Sequence, residues 1–239
     1  MRKFVLLCLL IPVIGTSQTK NVVSVQRMFA KVDKVLELEK AIGAHAQKYH
    51  TNDAKWRVWE ITSGPDAGGY QVVEGPFNWT GLDARGNLGA EHTTDWNKSV
   101  AVNTTEGYQS GYYEYQESLS TVALTEFSNK IQIVHWYPKL GYAMSVRALI
   151  AKMKKVWEAD NTTVAVYMTS ASGTTQYTMV TRYKNGFKDR DIVNPLNFKE
   201  RYEKVHGADS FDEYIDILRN KMDKSWGELL EMRAELGSK

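Results

Sequence analysis

The sequence predicts an α+β fold built from two tandem βαββα units, and three observations lead there. Residues 23 to 78 and residues 131 to 185 carry the same pattern at an offset of about 108. Within each copy, some segments alternate apolar and polar side chains with the period of two that a pleated strand requires. Others repeat apolar residues at three-four spacing, which makes one stripe on a helix.

In the first strand, Val23, Val25 and Phe29 match Ile131, Ile133 and Tyr137, and Arg27 falls opposite His135. The helix that follows carries Leu38, Ala41, Ile42, His45 and Tyr49 in one copy and Val146, Leu149, Ile150, Met153 and Trp157 in the other. Asp33 is placed to cap the first of these helices. A hairpin comes next: Val58 and Trp59 meet Val166 and Tyr167, then Tyr70 meets Tyr177, Val73 meets Val180 and Asn78 meets Asn185. The single-residue gap between copies falls in the connection, where Gly68-Gly69 and Gly173 supply the positive φ of a turn.

Each unit is expected to end in a helix. Tyr108, Tyr112, Tyr115, Leu119 and Val122 make one stripe, and Ile215, Leu218, Met222, Trp226 and Leu229 make the other. The run from Ser210 to Leu236 reads as a single terminal helix that stops at Gly237. Between the first hairpin and its helix, "GLDARGNLGAEHTTDW" reads as an irregular surface segment. The expected units are residues 18-128 and residues 129-239.

The N-terminus reads as a secretory leader over residues 1-17: Arg2 and Lys3 precede eleven apolar residues, Phe4 to Ile14, and then Gly15, Thr16 and Ser17. That run falls short of the roughly 20 residues a spanning helix needs. Cleavage near Ser17 leaves Gln18 first, in an exported protein that is periplasmic or secreted. The one cysteine, Cys8, leaves with the leader, so the mature chain relies on its core and not on disulfides. Loss of Arg2 and Lys3 also leaves 28 basic against 28 acidic residues. A chain of zero net charge offers no electrostatic basis for binding nucleic acid. No other segment predicts a membrane span. The mature chain is expected either as a monomer with an internal pseudo-dimer or as a homo-oligomer.

Element order, duplication and hairpin length, with pieces such as "VWEITSGP" and "VEGPFNWTGLD", resemble the ferredoxin-like modules of the dimeric α/β-barrel superfamily. The likeness extends to its NIPSNAP-like and antibiotic-biosynthesis-monooxygenase-like families. The resemblance implies two ferredoxin-like βαββα modules whose antiparallel sheets pack on one another as an intramolecular α/β barrel, with a cavity between them.

Strand alternation nominates the side chains that face such a cavity. Val58 and Val166 suit a helix-covered face, which sends Arg57, Trp59 and Ile61, and Ala165, Tyr167 and Thr169, to the other. A mixed polar and aromatic lining suits a ligand pocket. The candidate lining residues are Arg27, Arg57, Trp59, His135, Tyr137, Tyr167 and Arg182. A shift of one residue reverses every face, so both assignments stay open at this level. His135 stands out among the histidines because "VHWYP" places imidazole, indole and phenol on one strand.

No metal site is predicted, since no His-x-x-x-His, Cys-x-x-Cys or carboxylate-histidine cluster has zinc-like spacing. His45 reads as a hydrogen-bonded core histidine; His50, His92 and His206 read as surface residues. No cofactor is predicted, and haem enters only through the resemblance. Haem-degrading relatives use an asparagine, a tryptophan and an axial histidine. Asn78-Trp79 with His92 or His206 does not reproduce that set, because Asn78 ends a hairpin strand and is not on a first strand. Trp79 is expected to pack over its own loop. There is no phosphate-binding glycine loop and no Gly-x-Ser-x-Gly elbow. Three readings follow: a binding protein for a small apolar or aromatic ligand, a cofactor-free or haem-linked monooxygenase, or an interaction module of the cell envelope.

Overall fold

The computed structural model describes residues 19–192 and 194–239. The leader assigned to residues 1-17, with Cys8, lies outside them. In chain order the elements are β1 (Val22–Met28), α1 (Val35–Tyr49), β2 (Trp56–Ile61), β3 (Tyr70–Phe77), α2 (Trp79–Arg85), α3 (Ala90–Asp95) and β4 (Gln109–Tyr115). There follow β5 (Lys130–Pro138), α4 (Ala143–Ala159), β6 (Val164–Ser170), β7 (Tyr177–Tyr183), α5 (Phe198–His206), α6 (Ser210–Lys221) and β8 (Met222–Met232).

All eight strands pair antiparallel and close into one barrel, in the order β1-β3-β2-β8-β5-β7-β6-β4. This corrects the expectation of two ferredoxin-like βαββα modules packing sheet on sheet. The strands form a single continuous sheet, in which β4 bridges β1 to β6 and β8 bridges β5 to β2. Closure removes the exposed edges that two separate sheets would keep.

The misread elements are the two bridging strands. The stripe expected to make Tyr108 to Val122 a helix is instead β4 followed by a short 3-10 turn at Glu117–Leu119. On β4 the period is two: Tyr113 and Tyr115 face the barrel interior, and Tyr112 meets Trp79 on the outside. The terminal helix stops at Lys221, and the chain continues as β8. Met222 to Met232 is rich in helix formers, but helix propensity differs by less than about 1 kcal/mol per residue among non-proline types. Pairing with β5 from Pro138↔Met222 to Lys130↔Glu231, and with β2 at Ile61↔Leu230, satisfies a row of backbone groups and outweighs it.

Among the described residues, three apolar clusters organise the fold. Leu38, Ile42 and Ala46 of α1 cover the outer faces of Trp56, Val58 and Val72. Val146, Leu149, Ile150 and Val156 of α4 cover Val164, Val166 and Met179, with Tyr202 of α5 and Ile217 of α6 behind them. Trp59, Ile61, Ile131, Ile133, Ala165, Val180 and Leu230 fill the interior. Eight strands leave a bore just wide enough for side chains to fill.

Local details differ from expectation at several points. The residue before α1 is Lys34, without a side-chain cap, so Asp33 does not cap it. The segment expected to be irregular contains α2 and α3. Asn78 caps α2 by accepting from the Gly81 amide at 2.6 Å. Trp79 is 42% exposed and donates from its indole to Glu114 at 3.1 Å. Among the described residues, no helix is long and apolar enough to cross a membrane.

Candidate functional site

The barrel interior holds a cavity of about 70 Å³ whose walls combine Val23, Val25 and Val73 with Arg27, His135 and Arg182. Trp59, Tyr113, Phe127 and Tyr167 complete its aromatic side. Of the seven residues nominated from sequence, Arg27, Trp59, His135, Tyr167 and Arg182 line this space. Arg57 lies against Phe127, its guanidinium 3.9 Å from the ring centroid. Tyr137 is one pleat beyond His135, outside the cavity, with Lys224 4.4 Å over its ring.

Arg27 is the hub of a buried polar network. It donates to Asp66 at 2.6 Å, to Gln71 at 2.9 Å and, through both terminal nitrogens, to Glu228, one of these bonds at 3.1 Å. Its Nη2 lies 3.5 Å from His135 Nε2. His135 Nε2 is also 2.8 Å from Glu228 Oε1, and its Nδ1 receives the side-chain amide of Gln176. That amide also donates to Thr178 at 3.1 Å, and its oxygen accepts from Tyr113 at 3.4 Å. Trp226 stacks on His135 with centroids 3.8 Å apart, in register across β5 and β8.

Charges in this network are set by burial against pairing. Burial works against the Arg27 charge, yet Glu228 and Asp66 outweigh it and raise its pKa. Burial likewise opposes ionisation of Glu228, but the bonds from His135 and Arg27 hold it below the ordinary carboxylate range. For His135 burial wins over the pull of Glu228 and lowers its pKa. Pairing thus favours the charged forms of Arg27 and Glu228, while burial favours the neutral imidazole of His135. With Glu228 accepting from Nε2–H, the lone pair of His135 is on Nδ1.

Local structure explains how these groups meet. Arg27 on β1 faces Gln71 on β3, and His135 on β5 faces Thr178 on β7 in the matching register. The hairpin turn before β3 rests on β8: a Cβ on Gly64, at φ +91°, would sit 2.9 Å from the Gly227 carbonyl. Glycine is needed there, and the contact brings Asp66 over Arg27. Sequence reasoning missed Asp66, Gln176, Trp226 and Glu228, because a turn and a supposed helix concealed their direction. The residue types of a buried ion cluster were the only available signal.

A second feature sits at the barrel mouth. The Phe127 ring lies within reach of two guanidiniums, Arg57 at 3.9 Å and Arg182 at 5.3 Å from its centroid. Arg182 is tied to the Ala123 and Leu124 carbonyls at 2.7 and 3.3 Å and to the Tyr167 hydroxyl at 3.1 Å. Arg57 donates to the Gly75 carbonyl at 3.0 Å. No ion pair of Arg57 or Arg182 with a carboxylate occurs among the described residues. Burial, with the repulsion of Arg182, lowers the pKa of Arg57. Outside Phe127 lies an open hollow of about 670 Å³ that shares Phe127, Ser128 and Arg182 with the interior cavity.

Haem does not fit this interior. A cavity of about 70 Å³ is far below the roughly 300–1000 Å³ of pockets that enclose drug-sized ligands. Both ring nitrogens of His135 are engaged within the protein. An outer hollow of about 320 Å³ beside Trp136, Trp157, Phe198 and Tyr214 has no histidine or cysteine in its lining.

No protein-family model matches the chain, and no curated protein matches it in sequence. Solved structures do match in fold. An anthrone oxidase-like protein aligns with a TM-score of 0.60 at 11% identity, over 90% of this chain and 92% of that one. A candidate monooxygenase from Fusobacterium nucleatum gives 0.56 at 13% identity, over 88% and 91%. Chlorite dismutase from Candidatus Nitrospira defluvii, solved with imidazole, gives 0.53 at 7% identity, over 92% and 95%. At such identities the likeness concerns fold alone: this chain shares the overall fold of those proteins.

Proposed function

We propose that the protein is a haem-independent oxygenase of small, electron-rich phenolic aromatics, with the barrel interior as its site. The observation that carries this reading is at the mouth, where Phe127 lies against two arginines that, among the described residues, form no ion pair with a carboxylate. A phenolate ring entering in place of Phe127 would keep the cation–π contacts and gain charge neutralisation, while reaching toward His135. Cation–π contacts of this kind contribute about 0.5–2 kcal/mol each. The names of structural neighbours, an anthrone oxidase-like protein and a candidate monooxygenase, support the same class.

The chemistry suits the residues. His135 is neutral at rest, and Glu228 on Nε2 stabilises the imidazolium that forms when Nδ1 takes a proton, as an orienting carboxylate does in a triad. Removal of a proton from an activated methylene or phenol makes an electron-rich anion that dioxygen can oxidise. For a methylene the balance is R2CH2 + O2 giving R2C=O + H2O: four electrons pass from carbon to dioxygen, and both hydrogens leave in water. Substrate must displace the Gln176 amide to reach Nδ1.

That occupied lone pair favours a second reading, in which the interior binds such a ligand without turning it over. Oxygen uptake separates the two. Haem-free protein given anthrone or a dihydroxynaphthalene should consume dioxygen in proportion to quinone formed, and His135→Ala should abolish the uptake. Binding without uptake would leave the second reading; absence of both would remove the interior as a functional site.

A further inference from the structure

Outside the barrel, against the outer face of β2 and β3, three histidines far apart in sequence converge. His45 is on α1, His50 caps the end of that helix, and His92 comes from α3. One nitrogen from each lies within 4.8 Å of the others. His45 Nε2 and His92 Nε2 are 3.1 Å apart, close to the roughly 3.3 Å between donor atoms on a tetrahedral zinc with 2.0–2.1 Å bonds. This departs from the sequence expectation that His50 and His92 are surface residues: His50 is 1% exposed and His92 is partly buried.

Two further observations point to a ligand. His45 Nδ1 is 2.7 Å from Asp95, the carboxylate arrangement that fixes a metal-binding imidazole with Nε2 free for the ion. His50, stacked on Trp56 at 3.9 Å, has no hydrogen-bond partner on either ring nitrogen, although it is buried. Glu74 Oε1 is 3.4 Å from His50 Nδ1 and is itself paired with Arg85 at 2.9 Å, so it is held in place beside the His50 ring. Two buried imidazole nitrogens without partners are costly unless something completes the site. The geometry does this if the His50 ring turns toward the other two, placing Nδ1 on Glu74 and Nε2 on an ion.

We propose that His45, His50 and His92 form a binding site for a divalent transition metal of the zinc type, with Asp95 and Glu74 orienting two of the ligands. Three neutral imidazoles without thiolate suit zinc, copper or nickel rather than magnesium or calcium. A water or an external ligand would complete the tetrahedron at the fourth position. A bound ion would cross-link α1 to α3 and so fix the segment between β3 and β4. The site is separate from the barrel interior and stands or falls independently of the oxygenase reading.

The test is titration of the tag-free mature chain with Zn2+ by calorimetry and with Co2+ by visible absorption. One equivalent per chain is expected, with the intense visible bands of tetrahedral cobalt and a raised Tm in zinc. Asp95→Asn should weaken affinity by about 10–100-fold, the usual effect of losing an orienting carboxylate. His92→Ala should weaken it further and abolish the tetrahedral cobalt spectrum. His92 is only partly buried, so this variant keeps the fold, which circular dichroism checks. Absence of zinc binding by the wild-type chain, or binding unchanged in His92→Ala, would overturn the proposal.

Discussion

Arg27 and His135 lie 108 residues apart in the chain and 3.5 Å apart in the barrel, where both meet Glu228. They hold matching positions on β1 and β5, each opposite a polar residue of the neighbouring strand. The duplicated pattern thus juxtaposes a cation and an imidazole at the barrel centre. β8 supplies the carboxylate that binds them together.

Glu228→Gln should be strongly destabilising, because it leaves the buried Arg27 with only Asp66 as a charged partner. Breaking one side of a buried ion pair typically costs about 3–5 kcal/mol. Denaturant unfolding measures it. The double variant Arg27→Met, Glu228→Leu should lose less than the sum of the two single variants, although it leaves Asp66, Gln71 and His135 without these partners.

Stability should fall as the pH drops below the ordinary histidine range. Burial lowers the pKa of His135, His45 and His50 beneath the value of 6.5 that applies in the unfolded chain. In that window the unfolded state takes up protons that the folded state does not, so stability rises with pH and is lost as pH falls. Thermal melts between about pH 7.5 and 5.5 should show a declining Tm; a flat or rising trend would contradict the assigned neutral imidazoles.

Leu149→Ala tests the outer layer. Leu149 is 1% exposed, between α4 and the strands it covers. A loss of about 2–5 kcal/mol is expected, with no change in ligand affinity at the barrel mouth. Coupled loss of both would mean that the helix layer also shapes the interior.

The sequence paired the residues of β2 and β6 correctly but left their faces open; the helices that cover Val58 and Val166 decide that Trp59 and Tyr167 point inward. Barrel closure was not accessible. Tyr108, Tyr112 and Tyr115 fit a helical stripe, and Met222 to Met232 has a helix-forming composition; long-range pairing decides both segments. Glu228 and Trp226 disappeared with that misreading. Phe127 belongs to no regular element, so no periodicity signals its place beside Arg57 and Arg182. His92 meets His45 across 47 residues, a contact that local spacing does not encode.

Arg57→Met should weaken binding of a phenolic ligand while leaving the fold intact, since Arg57 makes a single bond to the Gly75 carbonyl. Loss of one cation–π contact of about 0.5–2 kcal/mol corresponds to roughly 2–30-fold in affinity. Trp59 fluorescence reports the binding directly. A neutral aromatic should lose less than a phenolate.

The proposed function places an aromatic ring in the barrel interior where Phe127 now lies. A crystal structure of the protein soaked with a phenolic aromatic tests it most directly. The ring is expected against Arg57 and Arg182, with Phe127 displaced toward the outer hollow and a substrate atom within reach of His135 Nδ1. Phe127 still in its slot at full ligand occupancy, with the ring bound elsewhere, would contradict it.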